Sequence, residues 1–254
     1  MDRKYEQVGT AFTCRSYEEY ARMFALEEPP ASRGEVLDAA AGASSFTADA
    51  ARRGIRAVAV DPRYRLPREE LFAEARTEID VSTAKLEGLR DLFDFSYYGS
   101  LENHRAGREA SLERFMADFA ADKREGGGRY VAGELPHLPF EDGRFDLVLC
   151  SHFLFLYGEH FDEAFHERAV FELIRVCRPG GEVRIYPLVT LGFREYPHLD
   201  RLVEAVRGAG CEALFPESKL PFIPGSRRLL AIRKPVTSGT RSFAAQSGSY
   251  PNRR

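Results

Sequence analysis

Short apolar runs alternate with amphipathic segments through most of the chain, a pattern that predicts βαβ units and a mainly parallel sheet. Turn-forming residues bound each run, and the runs have the length of buried strands. The amphipathic segments between them are then helices on both faces of the sheet. Seven strands are predicted, over residues 35–39, 55–60, 129–131, 145–150, 181–186, 211–215 and 228–232.

Capping residues mark where several of the helices begin and end. Ser44 or Ser45 can begin a helix that stops at Gly54, and Asp162 can begin another after the fourth strand. Short polar side chains of this kind accept hydrogen bonds from the free amides of a first helical turn. Before the first strand, Ser16 predicts a further helix with aromatic residues near one face.

The segment 61–128 separates the second and third strands and is much longer than a crossover connection needs. Apolar residues recur in it at helical spacing, and it ends in three glycines at 126–128. Because it leaves the sheet edge where ligands of open α/β sheets bind, we expect it to return as a hinged cap, together with residues 16–26. The plainer alternative is that its rings only anchor the insert. The rings expected to line a cavity are Tyr17, Tyr20, Phe93, Phe95, Tyr97, Tyr98 and Phe115.

Composition favours one folded domain over residues 1–234 and a disordered tail at 235–254, which is rich in Ser, Gly and Thr. The net charge of −3 offers no phosphate-neutralising surface, so nucleic acid is not expected as a partner. The apolar run 147–157 is too short to span a bilayer, and the first residues lack the apolar stretch of a signal peptide. We therefore expect a cytoplasmic protein that does not associate with membranes.

Candidate chemistry begins where the first strand ends, at the small-residue turn AAAGASS of residues 39–45. Small residues let the backbone approach a ligand closely, and the following helix is expected to supply unpaired amides. The second strand ends at Asp61, where a carboxylate can bind the two ribose hydroxyls of an adenosine cofactor. A solvated loop aspartate is the alternative for Asp61. The turn and the aspartate suit a nicotinamide enzyme equally well.

Two later segments favour one cofactor over the other. Residues 133–150 read GELPHLPFEDGRFDLVLC, and residues 172–182 read ELIRVCRPGGE. In order and spacing, residues 35–187 resemble the class I S-adenosylmethionine-dependent methyltransferases, in which these segments commonly read G-D-A-x-x-L-P-F-x-D-x-x-F-D and E-L-x-R-V-L-K-P-G-G. The resemblance implies a Rossmann-like α/β fold, S-adenosylmethionine as the cofactor, and methyl transfer to an acceptor. We expect that acceptor to be a small molecule of biosynthesis.

Carried residue by residue onto this chain, the resemblance implies contacts with each part of the cofactor. The end of the first strand and the turn after it would hold the methionine moiety, and the end of the second strand the ribose. Residues 134–135 would border adenine, and those after the fourth strand would lie close to the sulfonium. The implied cofactor-binding residues are Asp38, Ala39, Ala40, Gly42, Asp61, Pro62, Glu134, Leu135 and Ser151.

The chain departs from the family pattern at three of these places. Glycine is usual where this chain has Ala40 and Ser44, and aspartate where it has Glu134. Alanine and serine keep the backbone close to a ligand if φ stays negative, but they remove the left-handed conformation that glycine allows. We expect a variant pocket, and a fold that has lost its cofactor is the alternative.

A base is needed only when the acceptor is protonated, since a sulfonium methyl is already electrophilic. His152 and Tyr157 are the first candidates, followed by Glu159 and His160. The alternative for His152, which lies in an apolar run, is a buried and hydrogen-bonded core histidine. The histidines and acids of this region share no common face, and the four cysteines form no C-x-x-C pair, so no metal site is expected.

Three other functions stay open on the sequence alone. Proteins that resemble this fold, such as azetidine-2-carboxylate synthases, close a ring within S-adenosylmethionine and release methylthioadenosine, and a sealed aromatic cap would suit that chemistry. A nicotinamide-dependent oxidoreductase shares the turn and Asp61 but has no reason to carry the RPGG turn at 178–181. A cofactor-free interaction module is the third alternative.

Overall fold

The computed structural model describes residues 4–27 and 34–236, so the predicted tail lies almost wholly outside the described residues. Seven strands form one sheet in the order β3-β2-β1-β4-β5-β7-β6. Strands β1 to β5 run parallel, and β7 is antiparallel to both β5 and β6. The strands are β1 (Glu35–Ala39), β2 (Arg56–Val60), β3 (Tyr130–Val131), β4 (Phe145–Ser151), β5 (Cys177–Tyr186), β6 (Glu212–Leu214) and β7 (Leu230–Arg233).

All seven predicted strands are confirmed, with bounds that differ by a few residues. The two central strands, β1 and β4, are buried along most of their length because helices cover both faces of the sheet. Such strands read as continuous apolar runs, which is why the sequence identifies them. Strand β1 lies between β2 and β4, so the chain crosses to opposite sides of it, and ligands of such sheets bind at the carboxyl ends beside this point.

The helices begin at the capping residues that the sequence marks. Ser16 and Glu19 form a capping box, and the Asp162 carboxylate accepts from the Phe165 amide at 2.7 Å. Ser45 occupies the first cap position of its helix without a side-chain cap bond, while the Ser44 hydroxyl accepts from the Phe46 amide at 3.0 Å. The helices are α1 (Tyr17–Met23), α2 (Phe46–Arg52), α3 (Arg68–Gly88), α4 (Leu101–Arg124), α5 (Glu163–Val176) and α6 (Leu199–Gly208).

The insert between β2 and β3 is helical, as its apolar spacing predicts, and consists mainly of α3 and α4 packed against each other. The periodic residues of α4 are buried in one apolar cluster with Tyr64 and Tyr130, at the β2 and β3 side of the sheet. The three glycines that follow α4 all have positive φ, between 74° and 135°, which a residue with a side chain rarely adopts. Glycine is therefore required where the insert rejoins the sheet.

Candidate cofactor and acceptor site

Two cavities lie side by side at the carboxyl ends of β1, β2 and β4. The first cavity has a volume of about 160 Å³ and the second about 90 Å³. Residues Ala11, Thr13, His152 and Tyr157 line both of them, so the two spaces meet there. Six of the residues predicted to bind cofactor line the first cavity, namely Ala40, Asp61, Pro62, Glu134, Leu135 and Ser151.

Asp61 is a buried residue that ties the small-residue turn to the end of β2. Only 5% of it is exposed, so it is not a solvated loop aspartate. Its carboxylate oxygens accept from the Gly42 amide at 3.1 Å and the Arg63 amide at 2.9 Å. Burial raises the pKa of this carboxyl, and those two amides and the Arg63 guanidinium oppose the rise. The side chain keeps free lone pairs toward the first cavity, because each carboxylate oxygen can accept two hydrogen bonds.

The turn after β1 differs from the sequence-based expectation in two respects. Ala40 has φ of 54°, in the left-handed region that we expected alanine to exclude. The amides of Ala41, Gly42 and Ala43 are not free for a ligand, since they donate to Val60, Asp61 and Thr13. The physical reason is that the end of β2 takes up two of these donors, and the segment 10–15, which runs across the turn, takes up the third. An added Cβ at Gly42 would lie 2.8 Å from the Thr13 carbonyl oxygen, so only glycine fits under this segment.

Replacing Ala40 with glycine is expected to stabilise the fold by about 0.5–1 kcal/mol. The left-handed conformation destabilises a residue that has a side chain by about 1–2 kcal/mol, and glycine removes this strain. Glycine also has more conformational freedom in the unfolded chain, which offsets about 0.5–1 kcal/mol of the stabilisation. Urea unfolding of Ala40→Gly measures the difference. The matched control is Ala39→Gly, in β1 and without a positive φ, which is expected to destabilise; equal destabilisation by both changes would contradict the strain at Ala40.

Asp38, at the carboxyl end of β1, is fully buried and lines neither cavity. One oxygen accepts from the Tyr20 hydroxyl at 3.0 Å, and the other has no hydrogen-bond partner within residues 4–27 and 34–236. Burial raises the pKa of Asp38 well above its ordinary value, the Tyr20 bond opposes this, and the nearby Asp61 raises it further. Two carboxyl groups with raised pKa values therefore lie beneath the point where the cavities meet, and a cationic ligand would favour their ionised forms.

His152 and Tyr157, the two residues predicted to lie near the reacting atoms, border both cavities. His152 has φ of 52°, and its Nδ1 lies 2.8 Å from the Ser151 hydroxyl. Burial, with the Arg15 and Arg108 guanidinium groups, lowers the pKa of His152 well below its usual value, so its ring is neutral at pH 7. The Tyr157 hydroxyl accepts from the Ala11 amide at 2.8 Å, and burial raises the pKa of Tyr157 to about 12. Tyr157 therefore stays protonated.

Of the seven rings proposed for the cap, one lines a cavity and six line neither. Phe93 lines the second cavity, and Phe95 and Tyr98 pack behind it against Phe222. Tyr97 is partly exposed, with Arg22 over its ring. The rings of Tyr17, Tyr20 and Phe115 depart from the expectation and line neither cavity, because they complete core stacks: Tyr17 and Tyr20 on Phe46, and Phe115 on Tyr64.

Several residues at the second cavity were not predicted. The segment 10–15 has no periodic pattern, yet its residues Ala11 and Thr13 line both cavities. Glu78 of α3 and His104 and Arg108 of α4 also line the second cavity. His104 and Arg108 share a helix face with Leu101 and Leu112, all buried. Polar residues at helical positions that are otherwise apolar were thus the sequence signal that could have predicted these cavity residues. The other candidate bases, Glu159 and His160, line neither cavity.

A family model described as a methyltransferase domain matches residues 109–185, which run from α4 to the end of β5. The match includes both quoted motifs and the carboxyl end of β4. This part of the chain is therefore similar to methyltransferase domains. The similarity indicates a transferase that uses S-adenosylmethionine.

The chain is 27% identical to an uncharacterized protein of Methanocaldococcus jannaschii, over 89% of this chain and 96% of that protein. Two solved structures are also similar. One is a TehB-like S-adenosylmethionine-dependent methyltransferase from Corynebacterium glutamicum, with 18% identity over 81% and 82% of the two chains and a TM-score of 0.43. The other is an S-adenosylmethionine-dependent methyltransferase from Methanosarcina mazei, with 14% identity over 80% and 92% and a TM-score of 0.43.

The residues of the first cavity are compatible with S-adenosylmethionine. Asp38 and Asp61 would supply negative charge for its sulfonium and ammonium groups when ionised, and one buried oxygen of Asp38 has no partner among the described residues. Phe161 and Phe165 line the cavity with their rings stacked at 4.2 Å, beside Leu135 and Leu138, and would offer a flat apolar wall for adenine. Across residues 4–27 and 34–236, no helix is long and apolar enough to cross a membrane, and no three His, Cys, Asp or Glu side chains group around a possible metal position.

Proposed function

We propose that the protein transfers the methyl group of S-adenosylmethionine to a small molecule bound in the second cavity. The observation that carries the proposal is the junction at Thr13, His152 and Tyr157, where the two cavities share their walls. A cofactor in the first cavity and an acceptor in the second would meet at this junction. The small, largely apolar second cavity supports a small acceptor rather than a macromolecule.

The residues of the first cavity are proposed to bind the cofactor in the order the resemblance implies. Asp61 would accept from the ribose hydroxyls, Glu134 and Leu135 would border adenine, and Ala40 would lie near the methionine arm. Asp38, buried below, would act through its charge rather than by contact. The bound cofactor supplies an electrophilic methyl group, and the protein has to hold the acceptor in line with it and exclude water.

His152 and Tyr157 are proposed to hold the acceptor atom at the junction. A neutral imidazole can accept a proton from an acceptor hydroxyl or amine, and burial keeps His152 neutral. The protonated Tyr157 hydroxyl can donate a hydrogen bond while it accepts from the Ala11 amide. Both residues therefore have a defined protonation state at pH 7 that suits these roles.

Product analysis tests the proposed reaction. The protein is incubated with methyl-labelled S-adenosylmethionine, with and without a small-metabolite extract. We expect S-adenosylhomocysteine and a labelled metabolite, both only when the extract is present. Methylthioadenosine formed without extract would replace the proposal with ring closure on the cofactor itself. No binding of either S-adenosylmethionine or S-adenosylhomocysteine by calorimetry would favour a cofactor-free interaction module.

A further inference from the structure

A buried charged cluster lies against the second cavity, on the side formed by α1, α4 and the segment before α1. Glu19 is at its centre and pairs with Arg108 at 2.8 Å and more distantly with Arg15 at 3.8 Å. The Tyr98 hydroxyl donates to the same carboxylate at 2.6 Å. Arg15 and Arg108 both line the cavity, whereas Glu19 does not. The cluster thus presents its cations, not its anion, to the cavity.

His104 extends this cluster and carries a buried donor that has no acceptor. Its Nε2 lies 3.1 Å from an Arg108 nitrogen, which can only donate, so Nε2 accepts and the ring proton is on Nδ1. Nδ1 is buried and has no hydrogen-bond partner among the described residues. The Nε of Arg15 is likewise buried and has no acceptor there. Two residues that line one cavity therefore each hold a buried N–H donor without a partner, a costly arrangement unless a ligand supplies the acceptor.

The charges around the second cavity do not cancel within the cluster. Two guanidinium groups face one carboxylate, and His104 adds no charge because burial, Arg108 and Arg15 lower its pKa to about 2. Glu78 is the one acidic residue among those lining the cavity. Burial raises its pKa and so disfavours its charged form, against the opposing effects of Lys85, Arg63 and the Phe12 amide, and its Oε1 has no hydrogen-bond partner among the described residues. An anionic ligand would balance the remaining positive charge.

The rest of the cavity wall is apolar. Phe93, Phe193 and Phe222 contribute rings, and Leu86 and Leu156 contribute aliphatic side chains. The ring of Phe222 stacks on His104 at 5.3 Å, so the apolar wall reaches the unpaired donor directly. A ligand that fits both parts has an apolar body and one acidic group at its end.

We propose that the methyl acceptor is a small apolar carboxylic acid whose carboxylate binds Arg15, Arg108 and the Nδ1–H of His104. This inference rests on the proposed function, because it identifies the substrate class of the second cavity. A carboxylate accepts up to four hydrogen bonds and matches the fork of donors on a guanidinium group. The opposite end of the acid would then reach His152 and Tyr157 at the junction.

The carboxylate of the cofactor's own methionine moiety is the other possible source of the same chemistry. The experiment therefore measures two bindings separately. Calorimetry gives the affinity for S-adenosylhomocysteine, and ligand-observed nuclear magnetic resonance gives the affinities for butyrate and phenylacetate, each against its neutral amide, with and without S-adenosylhomocysteine. For the wild type we expect each acid to bind at least tenfold more tightly than its amide.

Two substitutions probe the donors while sparing the Glu19–Arg108 pair. Arg15→Met and His104→Phe each remove a buried donor without a partner, so both variants are expected to fold. Each should bring the ratio of acid to amide affinity close to one and leave the affinity for S-adenosylhomocysteine within about twofold. Arg168→Met, an exposed arginine on α5, is the matched control and should change neither quantity.

Two outcomes would overturn the inference. Acids and amides that bind the wild type equally would exclude a carboxylate site. A fall in S-adenosylhomocysteine affinity in Arg15→Met, with the acid ratio unchanged, would assign the arginine to the cofactor's carboxylate. Failure of the wild type to bind S-adenosylhomocysteine would instead count against the proposed function. The two failures are distinguishable because the comparison of acid and amide without the cofactor tests the arginines separately.

Discussion

Replacing Asp61 with alanine is expected to weaken the binding of S-adenosylhomocysteine by about 1–3 kcal/mol, roughly five- to 150-fold. In the proposed cofactor site, the change would leave two ribose hydroxyls without a charged acceptor. It also removes the acceptor of the Gly42 amide, so the turn beneath the cofactor loses its tie to β2. Calorimetry measures the affinity, and urea unfolding measures the accompanying loss of stability.

Asp61→Asn separates the two roles of this residue. The amide keeps one carbonyl oxygen for a backbone amide but carries no charge, so we expect most of the stability to return and most of the affinity loss to remain. Asp200→Ala, an exposed acidic position on α6, should change neither measurement. If Asp61→Ala folds and binds S-adenosylhomocysteine as the wild type does, Asp61 has no role in the cofactor site.

The parts of this fold that the sequence predicts are those that local pattern specifies. Strands β1 and β4 are apolar because both faces are covered, and α1 and α5 begin at residues whose side chains bond the first turn. The position of the first cavity follows from the topology, since the ends of β1, β2 and β4 must meet at one edge. Six of the nine residues implied for the cofactor line that cavity for this reason.

The other features of the fold and the site are determined by packing between residues distant in the sequence, which the local sequence pattern does not predict. Arg108 donates to Glu19 and to the Cys14 carbonyl, which lie about ninety positions away in the sequence, and no sequence motif predicts either bond. Ala40 adopts positive φ because the turn around it is held from both sides. The Gly42 amide donates to Asp61, and the Gly42 carbonyl accepts from the Tyr64 hydroxyl at 2.7 Å. Propensity alone favours the other conformation for alanine.

The cap illustrates the same division. The length and placement of the insert indicate that it returns to the carboxyl edge, and residues of α3 and α4 do line the second cavity. The rings that face the cavity are determined by the side chains against which each ring packs. Phe115 packs against Tyr64 and Tyr130 in the core, while Phe93 packs against Phe222 at the cavity wall. Opening of this cap about the glycines at 126–128 stays a prediction.

Glu19→Gln is expected to destabilise the fold by about 3–5 kcal/mol at pH 7, the largest stability change anticipated here. The carboxylate is the shared anion of the two buried guanidinium groups, and its removal leaves both without a counter-charge in a site closed to water. The amide is similar in size, so the loss reports charge rather than packing. Glu18→Gln on the same helix is the matched control: its carboxylate is 53% exposed and its pair with Arg53 is worth about 1 kcal/mol or less.

The dependence of this effect on pH follows from the pKa of Glu19. Burial alone would raise that pKa, but Arg108 and Arg15, with hydrogen bonds from Tyr98 and Ser16, bring it below the ordinary value. A carboxyl with a lowered folded-state pKa contributes stability that is present above the unfolded pKa, about 4.3, and is lost as pH falls through the folded pKa. The gap in unfolding free energy between wild type and Glu19→Gln should therefore be full at pH 7 and shrink on acidification below pH 4. A gap that stays constant with pH would mean that Glu19 acts by packing and not by its charge.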